Sequence, residues 1–349
     1  MVGIGIVGLG FMGMIHYLGA ARVPGAKVVA ICTRDAKKRA GDWTSIQGNF
    51  GPRGEQMDLT GIAAYEKFED LLADPNVKLV DLCVPNADHA PLAIAALKAG
   101  KDVLVEKPIA LSLEDAAAMV ATARETGRKL MVAHVLPFFG EFTYAAEAIQ
   151  SGRYGKVLAA NFYRVISKPD WSAGIADAEK SGGPAIDLHI HDTHFIGWLF
   201  GKPNRVSSRG VVDQGVVVHL QTNYEYDAPG SPVVSCTSGA LSASGRPFAH
   251  GYEIFFEKAT LKFEYANLGR DHVAYPLTVI LPDGTVEQPS LAAGGDAITA
   301  FENEIGVAVN NISGGTHNPM LDGDLAQLAL KLSKAEVKSV LEGRSVTVD

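Results

Sequence analysis

The chain opens on GIGIVGLGFMGMIHYLGAARV (residues 3–23), and this stretch restricts the fold more than any other. An apolar run stops at Gly8, glycines recur at Gly10 and Gly13, and a second apolar run follows. In a chain with 37 glycines the spacing GxGxxG is weak by itself. Its setting makes it specific: a β-rich run before it, a helix-forming run after it, and the start of a βαβ unit. Gly8 permits the tight turn, Gly10 lets the backbone approach a pyrophosphate, and Gly13 lets the helix pack on the strand. Free N–H groups at the helix start, around Phe11 and Met12, then hold the anion. The stretch therefore predicts a dinucleotide-binding turn. It makes a poor secretion signal, having no basic residue before Arg22, and glycines break it too often for a membrane helix. No later run reaches the roughly 18 uninterrupted apolar residues that a membrane span needs.

Strand-like and helix-like runs alternate through the first third. Gly3–Val7, Lys27–Cys32, Lys78–Val84, Asp102–Val105 and Lys129–Val135 are the strands. Met12–Ala21, Asp35–Asp42, Phe68–Ala73, Ala90–Ala99 and Glu114–Glu125 are the helices, the last with Ser112 as N-cap and Gly127 as its close. GNFGPRGEQMDLTG (48–61) is a loop. This alternation predicts a doubly wound parallel sheet, a Rossmann domain over residues 1–135. A second domain, 136–349, is expected from the change of rhythm that follows. There, one helix (Glu141–Ser151) leads into closely spaced β-rich runs at Lys156–Ile166, Val206–Gln214, Val216–Tyr226, Val233–Leu241 and Tyr252–Tyr265, with helices at Ala297–Asn311 and Leu325–Leu341. Short connections between such runs predict an α/β domain with a mostly antiparallel sheet. A formal charge of −8 gives no basic face for nucleic acid. Cys32, Cys83 and Cys236 show no pairing pattern, which points to reduced thiols and a cytoplasmic protein.

The second strand ends in VVAICTRDAKK (28–38). An NAD site expects an acid there for the ribose 2′-hydroxyl. The strand end falls on Thr33, followed by Arg34, with Lys37 and Lys38 nearby, and a hydroxyl followed by cations suits a 2′-phosphate. NADP is therefore preferred to NAD, with Asp35 able to serve NAD if the strand runs two residues longer, and Lys37 and Lys38 otherwise a solvated helix face.

DVLVEKPIALSLEDA (102–116) places Glu106-Lys107-Pro108 just past a strand, where ligands of open α/β sheets bind. With GxGxxG followed by His16, with VPNADHAPLAIAALKAGKDVLVEKPIA (84–110) and with GGPAIDLHIHDTHFIGWLFGKP (182–203), the chain resembles the Gfo/Idh/MocA oxidoreductases, relatives of glucose–fructose oxidoreductase and inositol dehydrogenase. The resemblance covers most of the chain in motif order. It implies a C-terminal domain with an open sheet used for oligomer contacts, hence a homodimer or homotetramer. It also implies a substrate with a hydroxyl or carbonyl on a sugar, cyclitol or related polyol. It makes Lys107 the catalytic lysine, with Pro108 often cis. It makes Asp187 and His191 a functional pair, with the histidine as base, and places Pro85, Asn86 and His89 beside the cofactor. Two positions depart from the pattern: His194 stands where inositol dehydrogenase-like members carry an acid, and Pro137 where many carry arginine.

The residues themselves fit that chemistry. On a continuous helix Asp187, His191 and His194 would share one face. A neutral imidazole, titrating near pH ~6.5, is placed to take a hydroxyl proton while hydride leaves the same carbon. Asp187 could orient the ring, and Lys107 could stabilise developing negative charge on oxygen. DLHIHDTH also resembles a ligand set, but His189 falls on the opposite face and no further ligand is located, so no metal is expected and His189 is structural or touches substrate. Trp171 either stacks on a sugar ring or covers core, and His134 and Tyr163 are possible pocket residues. The competing readings are a hydrolase or lyase that keeps NAD(P) bound for transient oxidation, and a cofactor-sensing protein without turnover, which would have no need for Lys107, Asp187 and His191.

Overall fold

The computed structural model describes residues 1–48, 50–168, 181–291, 296–315 and 317–348. The chain forms two compact units: Met1–Phe139 with Ala293–Gln327, and Gly140–Ala292 with Leu328–Asp349. Among the described residues, no helix is long and apolar enough to cross a membrane.

The first unit is built on a six-stranded parallel sheet with β1 (Val2–Val7), β2 (Ala26–Cys32), β3 (Ala63–Tyr65), β4 (Leu79–Leu82), β5 (Asp102–Glu106) and β6 (Leu130–Ala133), in the order β3-β2-β1-β4-β5-β6. Every residue of β1, β4, β5 and β6 is buried, as helices on both faces of a parallel sheet require. Chain direction reverses its progress between β1 and β4, the switch point at which such sheets bind ligands. The crossovers are α1 (Phe11–Ala20), α2 (Ala36–Arg39), α3 (Phe68–Ala73), α4 (His89–Lys98) and α5 (Leu113–Thr126). The Ser112 hydroxyl accepts the Asp115 N–H at 3.0 Å, and Gly127 ends α5 in the left-handed conformation, as the sequence predicts. The helix expected over Asp35–Asp42 is a single turn, because Gly41, at φ +87°, stops it. The Lys107–Pro108 peptide is cis.

The second unit begins with α6 (Gly140–Gln150) and β7 (Val157–Ser167) and continues through α7 (Ile190–Phe200), β8 (Arg205–Asp213), β9 (Val216–Glu225), β10 (Val233–Ser242), β11 (Phe248–Phe256), β12 (Thr260–Leu268), β13 (Asp271–Ile280), β14 (Val286–Glu287) and β15 (Val346–Thr347). These strands form one sheet in the order β14-β13-β12-β11-β7-β10-β9-β8-β15, antiparallel throughout except that β10 runs parallel to β7. The run Tyr252–Tyr265, expected as one strand, is a hairpin. The exposed pair Glu257-Lys258 turns the chain, so that Tyr252 faces Phe263 across the ladder. β13 escapes sequence reading because its first six residues are exposed, the sixth being Pro276. Phe142 of α6 centres the core here, packing edge-to-face on Phe195, Tyr252 and Phe263.

Late in the chain come α8 (Thr299–Ile312) and α9 (Gly323–Glu342). The whole of α8 belongs to the first unit, where Ile298 and Phe301 pack on Ile15 of α1 and Gly19 gives the two helices room. This differs from the sequence-based division at residue 135. The apolar face of α1 needs a cover, and the segment that supplies it is far away in sequence.

Candidate active site

In the first unit the candidate residues lie along the carboxyl edge of the parallel sheet. Val7 pairs with Cys32 and with Leu82, and Leu82 with Val105, so the segments that leave β1, β2, β4 and β5 emerge side by side. Gly8 turns the chain at φ +89°, and a Cβ there would lie 2.4 Å from the Cys83 carbonyl oxygen. A Cβ on Gly13 would lie 2.0 Å from the Gly8 oxygen, which fixes how closely α1 meets the turn. Gly10, in contrast, would meet nothing within 4 Å. It is the N-cap of α1 and contributes no side-chain hydrogen bond, and the first turn, which holds Phe11 and Met12, has no acidic residue. The open space over Gly10 and the uncapped amides fit an anionic pyrophosphate.

At the end of β2, Thr33 is partly buried and Arg34 is exposed. Asp35 is committed to capping α2: its Oδ1 accepts the backbone N–H groups of Lys37 at 2.9 Å and Lys38 at 3.3 Å. Lys38 Nζ donates to the Leu9 carbonyl at 2.7 Å, tying α2 to the glycine turn. Arg39 donates to the Thr33 carbonyl at 2.7 Å and to Glu66 at 2.9 Å. After β4, Pro85 is exposed and Asn86 partly buried. His89 is fully buried, with Nδ1 2.8 Å from the Pro108 carbonyl and Nε2 3.0 Å from the Val84 carbonyl. It pins the segment after β5 to the one after β4, and burial pushes its pKa down. Glu106 is buried and accepts the backbone N–H of the partly buried Lys107 at 3.0 Å.

The second unit carries the remaining residues singled out from the sequence. A one-turn helix over Pro184–Asp187 is separated from α7 by a break at Leu188-His189. Asp187 and His191 are therefore on successive helices, which corrects the continuous helix assumed from their spacing. Gly182 and Gly183, both at positive φ, introduce the first turn and Pro184 then starts it. Asp187 and His191 are partly buried and His194 fully so. Two buried ion pairs hold the segment from below: His189 Nε2 binds Glu336 of α9, and Asp192 takes both Nε and Nη2 of Arg164 on β7, at 2.7 and 3.2 Å. His189 is thus fully buried and ion-paired with Glu336. His189, Asp192 and Cys236 lie close enough to suggest metal ligands. The first two are engaged as described, however, and burial raises the Cys236 thiol well above its usual pKa, keeping it protonated. Tyr163 of β7 is partly buried and its hydroxyl pKa is pushed up, first by burial and then by Glu264. His134 is buried after β6. Trp171 lies outside the described residues.

Sequence reasoning missed Arg164 and Glu336. Arg164 interrupts the buried face of β7 between Phe162 and Ile166, so the phase of that strand carried the signal, whereas Glu336 shares the buried face of α9 with Ser333 and Ser339 and has no such mark.

Residues 2–134 match the model of an oxidoreductase family with an NAD-binding Rossmann fold, Gfo/Idh/MocA, and residues 142–262 match a C-terminal domain of that family. The scyllo-inositol 2-dehydrogenase (NAD(+)) of Bacillus subtilis is 30% identical over 260 residues, 71% of this chain and 68% of that one. The chain belongs to the Gfo/Idh/MocA family. Myo-inositol 2-dehydrogenase of Thermotoga maritima is 27% identical across 99% of this chain and 98% of its own. A third member, 1,5-anhydro-D-fructose reductase of Ensifer adhaerens, is 32% identical, but the match spans about half of each protein, 54% of this chain and 53% of that one. Among solved structures, levoglucosan dehydrogenase in complex with NADH superposes with a TM-score of 0.78 at 20% identity, over 99% of each chain, which shows a shared fold.

Proposed function

We propose that this Gfo/Idh/MocA protein is an NAD(P)-dependent dehydrogenase or reductase acting on a hydroxyl or carbonyl of a sugar, cyclitol or related polyol. The observation that carries the reading is the placement of Lys107 on the same sheet edge as the open glycine turn, within the unit that binds the dinucleotide. The names of full-length relatives, inositol dehydrogenases, support the substrate class. When bound, the nicotinamide accepts or supplies hydride; the chain's own groups handle orientation and the proton. Lys107 hydrogen-bonds the substrate oxygen and stabilises negative charge on it. His191 takes the hydroxyl proton in oxidation and returns one in reduction, oriented by Asp187. Gly8, Gly10, Gly13, Phe11 and Met12 hold the pyrophosphate, Pro85 and Asn86 border the nicotinamide end, and His194 is assigned to substrate recognition. His89 contributes by fixing the backbone around Lys107.

NADP is the preferred coenzyme in this reading. Asp35, the acid that would bind a free ribose hydroxyl, is occupied as a helix cap, and Thr33, Arg34 and Lys38 supply a hydroxyl and cations for a 2′-phosphate. A homodimer or homotetramer is inferred from the large second sheet, on which Val233, Tyr275 and Val286 are exposed; light scattering is expected to give a mass above one chain, and a monomer would refute it. All three cysteines are free and a reducing, cytoplasmic setting suits them; burial and neighbouring acids push Cys32 up to about 11.

The test is a panel of sugars and cyclitols followed by reduced-nicotinamide absorbance with each coenzyme. Net redox is expected, which also distinguishes this enzyme from one that oxidises only transiently. Lys107→Ala and His191→Ala should each lower kcat by about 10²–10⁴-fold while coenzyme still binds. Arg34→Ala should weaken NADP more than NAD. Full activity in either catalytic variant would falsify the roles given.

A further inference from the structure

Behind Lys107 the first unit buries a line of charged groups that the proposed chemistry does not use. His16 of α1 is completely buried, as is Glu304 of α8, and Asp81 of β4 is 1% exposed. His16 Nδ1 sits 3.0 and 2.9 Å from the two oxygens of Asp81. On the other side of the ring, Nε2 lies 3.1 Å from Glu106 Oε1, an ion pair set off the hydrogen-bond axis. The second oxygen of Glu106 accepts the Lys107 backbone N–H at 3.0 Å. The line Asp81–His16–Glu106–Lys107 thus joins β4, the dinucleotide helix and the end of β5, and His16 is three residues beyond Gly13, one turn into that helix.

Carboxylates lie beside both ring nitrogens, hydrogen-bonded at Nδ1 and ion-paired at Nε2, and only the imidazolium sets a positive charge between them. Two buried carboxylates without a cation between them would repel strongly. Burial acts to lower the His16 pKa, yet Asp81 and the neighbouring groups raise it well above its usual value overall. Glu106, despite a burial effect that opposes ionisation, is lowered by His16 and then by Lys107. The remaining groups around the ring are the Cys83 thiol, raised by burial and so protonated, and Glu304, also raised by burial and so neutral. One cation then stands between two anions, and the Lys107 ammonium offsets the remaining negative charge.

We propose that His16 is a positioning residue for Lys107: the buried Asp81–His16–Glu106 chain anchors the lysine's backbone to the helix that starts at the glycine turn. This rests on the reading of Lys107 as a catalytic group. Lysine is long and flexible, so fixing its backbone removes much of its freedom, and a misplacement of about 1 Å can cost ~100-fold in rate.

The experiment compares Lys107→Ala, His16→Gln, Glu106→Gln and Asp81→Asn with the native enzyme. It measures kcat, KM and coenzyme affinity, and records ring-nitrogen NMR of the ¹⁵N-histidine-labelled native protein. The expected result is a fall in kcat of roughly 10–100-fold for His16→Gln and Glu106→Gln, with coenzyme affinity kept within about threefold. In the native protein one histidine, missing from the His16→Gln spectrum, should stay doubly protonated above neutral pH. If His16→Gln does not fold, Asp81→Asn, at the far end of the line, should show the same kcat loss, and its altered resonance identifies His16. An inactive Lys107→Ala together with unchanged kcat in the other variants, or a neutral His16 ring at pH 7, overturns this inference alone. A fully active Lys107→Ala overturns the reading of Lys107 itself.

Discussion

Glu304 of α8 is a carboxyl group that is costly to bury. It is fully buried, and neither carboxyl oxygen has a hydrogen-bond partner. Burial raises its pKa well above the usual carboxylate range, with Glu106 and Asp81 adding to the shift and His16 opposing it. The folded chain therefore keeps a proton that the unfolded chain releases. An acid with a raised folded pKa is neutral for stability below its unfolded value, near pH ~4.3, and costs stability as pH rises from there toward the folded value. Glu304→Gln should melt at a higher temperature than the native protein at pH 7 to 8, and the gap should close toward pH 4; a gap independent of pH would contradict the assignment. Nothing in the sequence marks this residue. Within TAFENEIGVAVNN it is one acid among two, and only the phase of α8 against α1 shows that Glu302 is half out while Glu304 is in. The glycines were legible for the opposite reason: their task is local, and the turn they form is set by the residues on either side.

At the scale of elements, the six-stranded parallel sheet was readable because each strand is a short apolar run bounded by its own helix and turn signals. The second sheet was less so. Long, partly exposed strands leave only half their residues apolar, and a turn such as Glu257-Lys258 contains no glycine or proline to announce it. The break between Asp187 and His191 was hidden in the same way, since the spacing i, i+4 is equally compatible with one helix or two. What organises this region is packing around α6. Phe142 is 1% exposed and touches rings from α7, β11 and β12. Truncating such a side chain leaves a cavity that rigid strands cannot close. Phe142→Ala is expected to cost about 3–5 kcal/mol in denaturant-induced unfolding. A loss below about 1 kcal/mol would mean that the surrounding aromatics collapse into the space.

For the whole molecule, the division of the chain matters more than the number of elements. The first unit is discontinuous: Met1–Phe139 makes its sheet, and Ala293–Gln327 returns to cover α1 with Ile298, Phe301 and Ile305. Sequence alone placed that helix with its neighbours, since no local property of α8 says which sheet it serves. A fragment of residues 1–139 should therefore expose the apolar face of α1, bind a hydrophobic dye and unfold without a sharp transition. The same fragment joined through a linker to residues 293–327 should lose the dye and unfold cooperatively; identical behaviour of the two would show that α8 is dispensable.

On a ribosome, this arrangement imposes an order of events. The nucleotide-binding turn leaves the exit tunnel long before the helix that seals its neighbour is made. At roughly 5–20 residues per second, the stretch in between takes on the order of fifteen to sixty seconds to synthesise. Throughout that interval the nascent half-domain carries a bare greasy flank, so the period of greatest vulnerability to chaperone capture or misassociation falls before the coenzyme site can be finished.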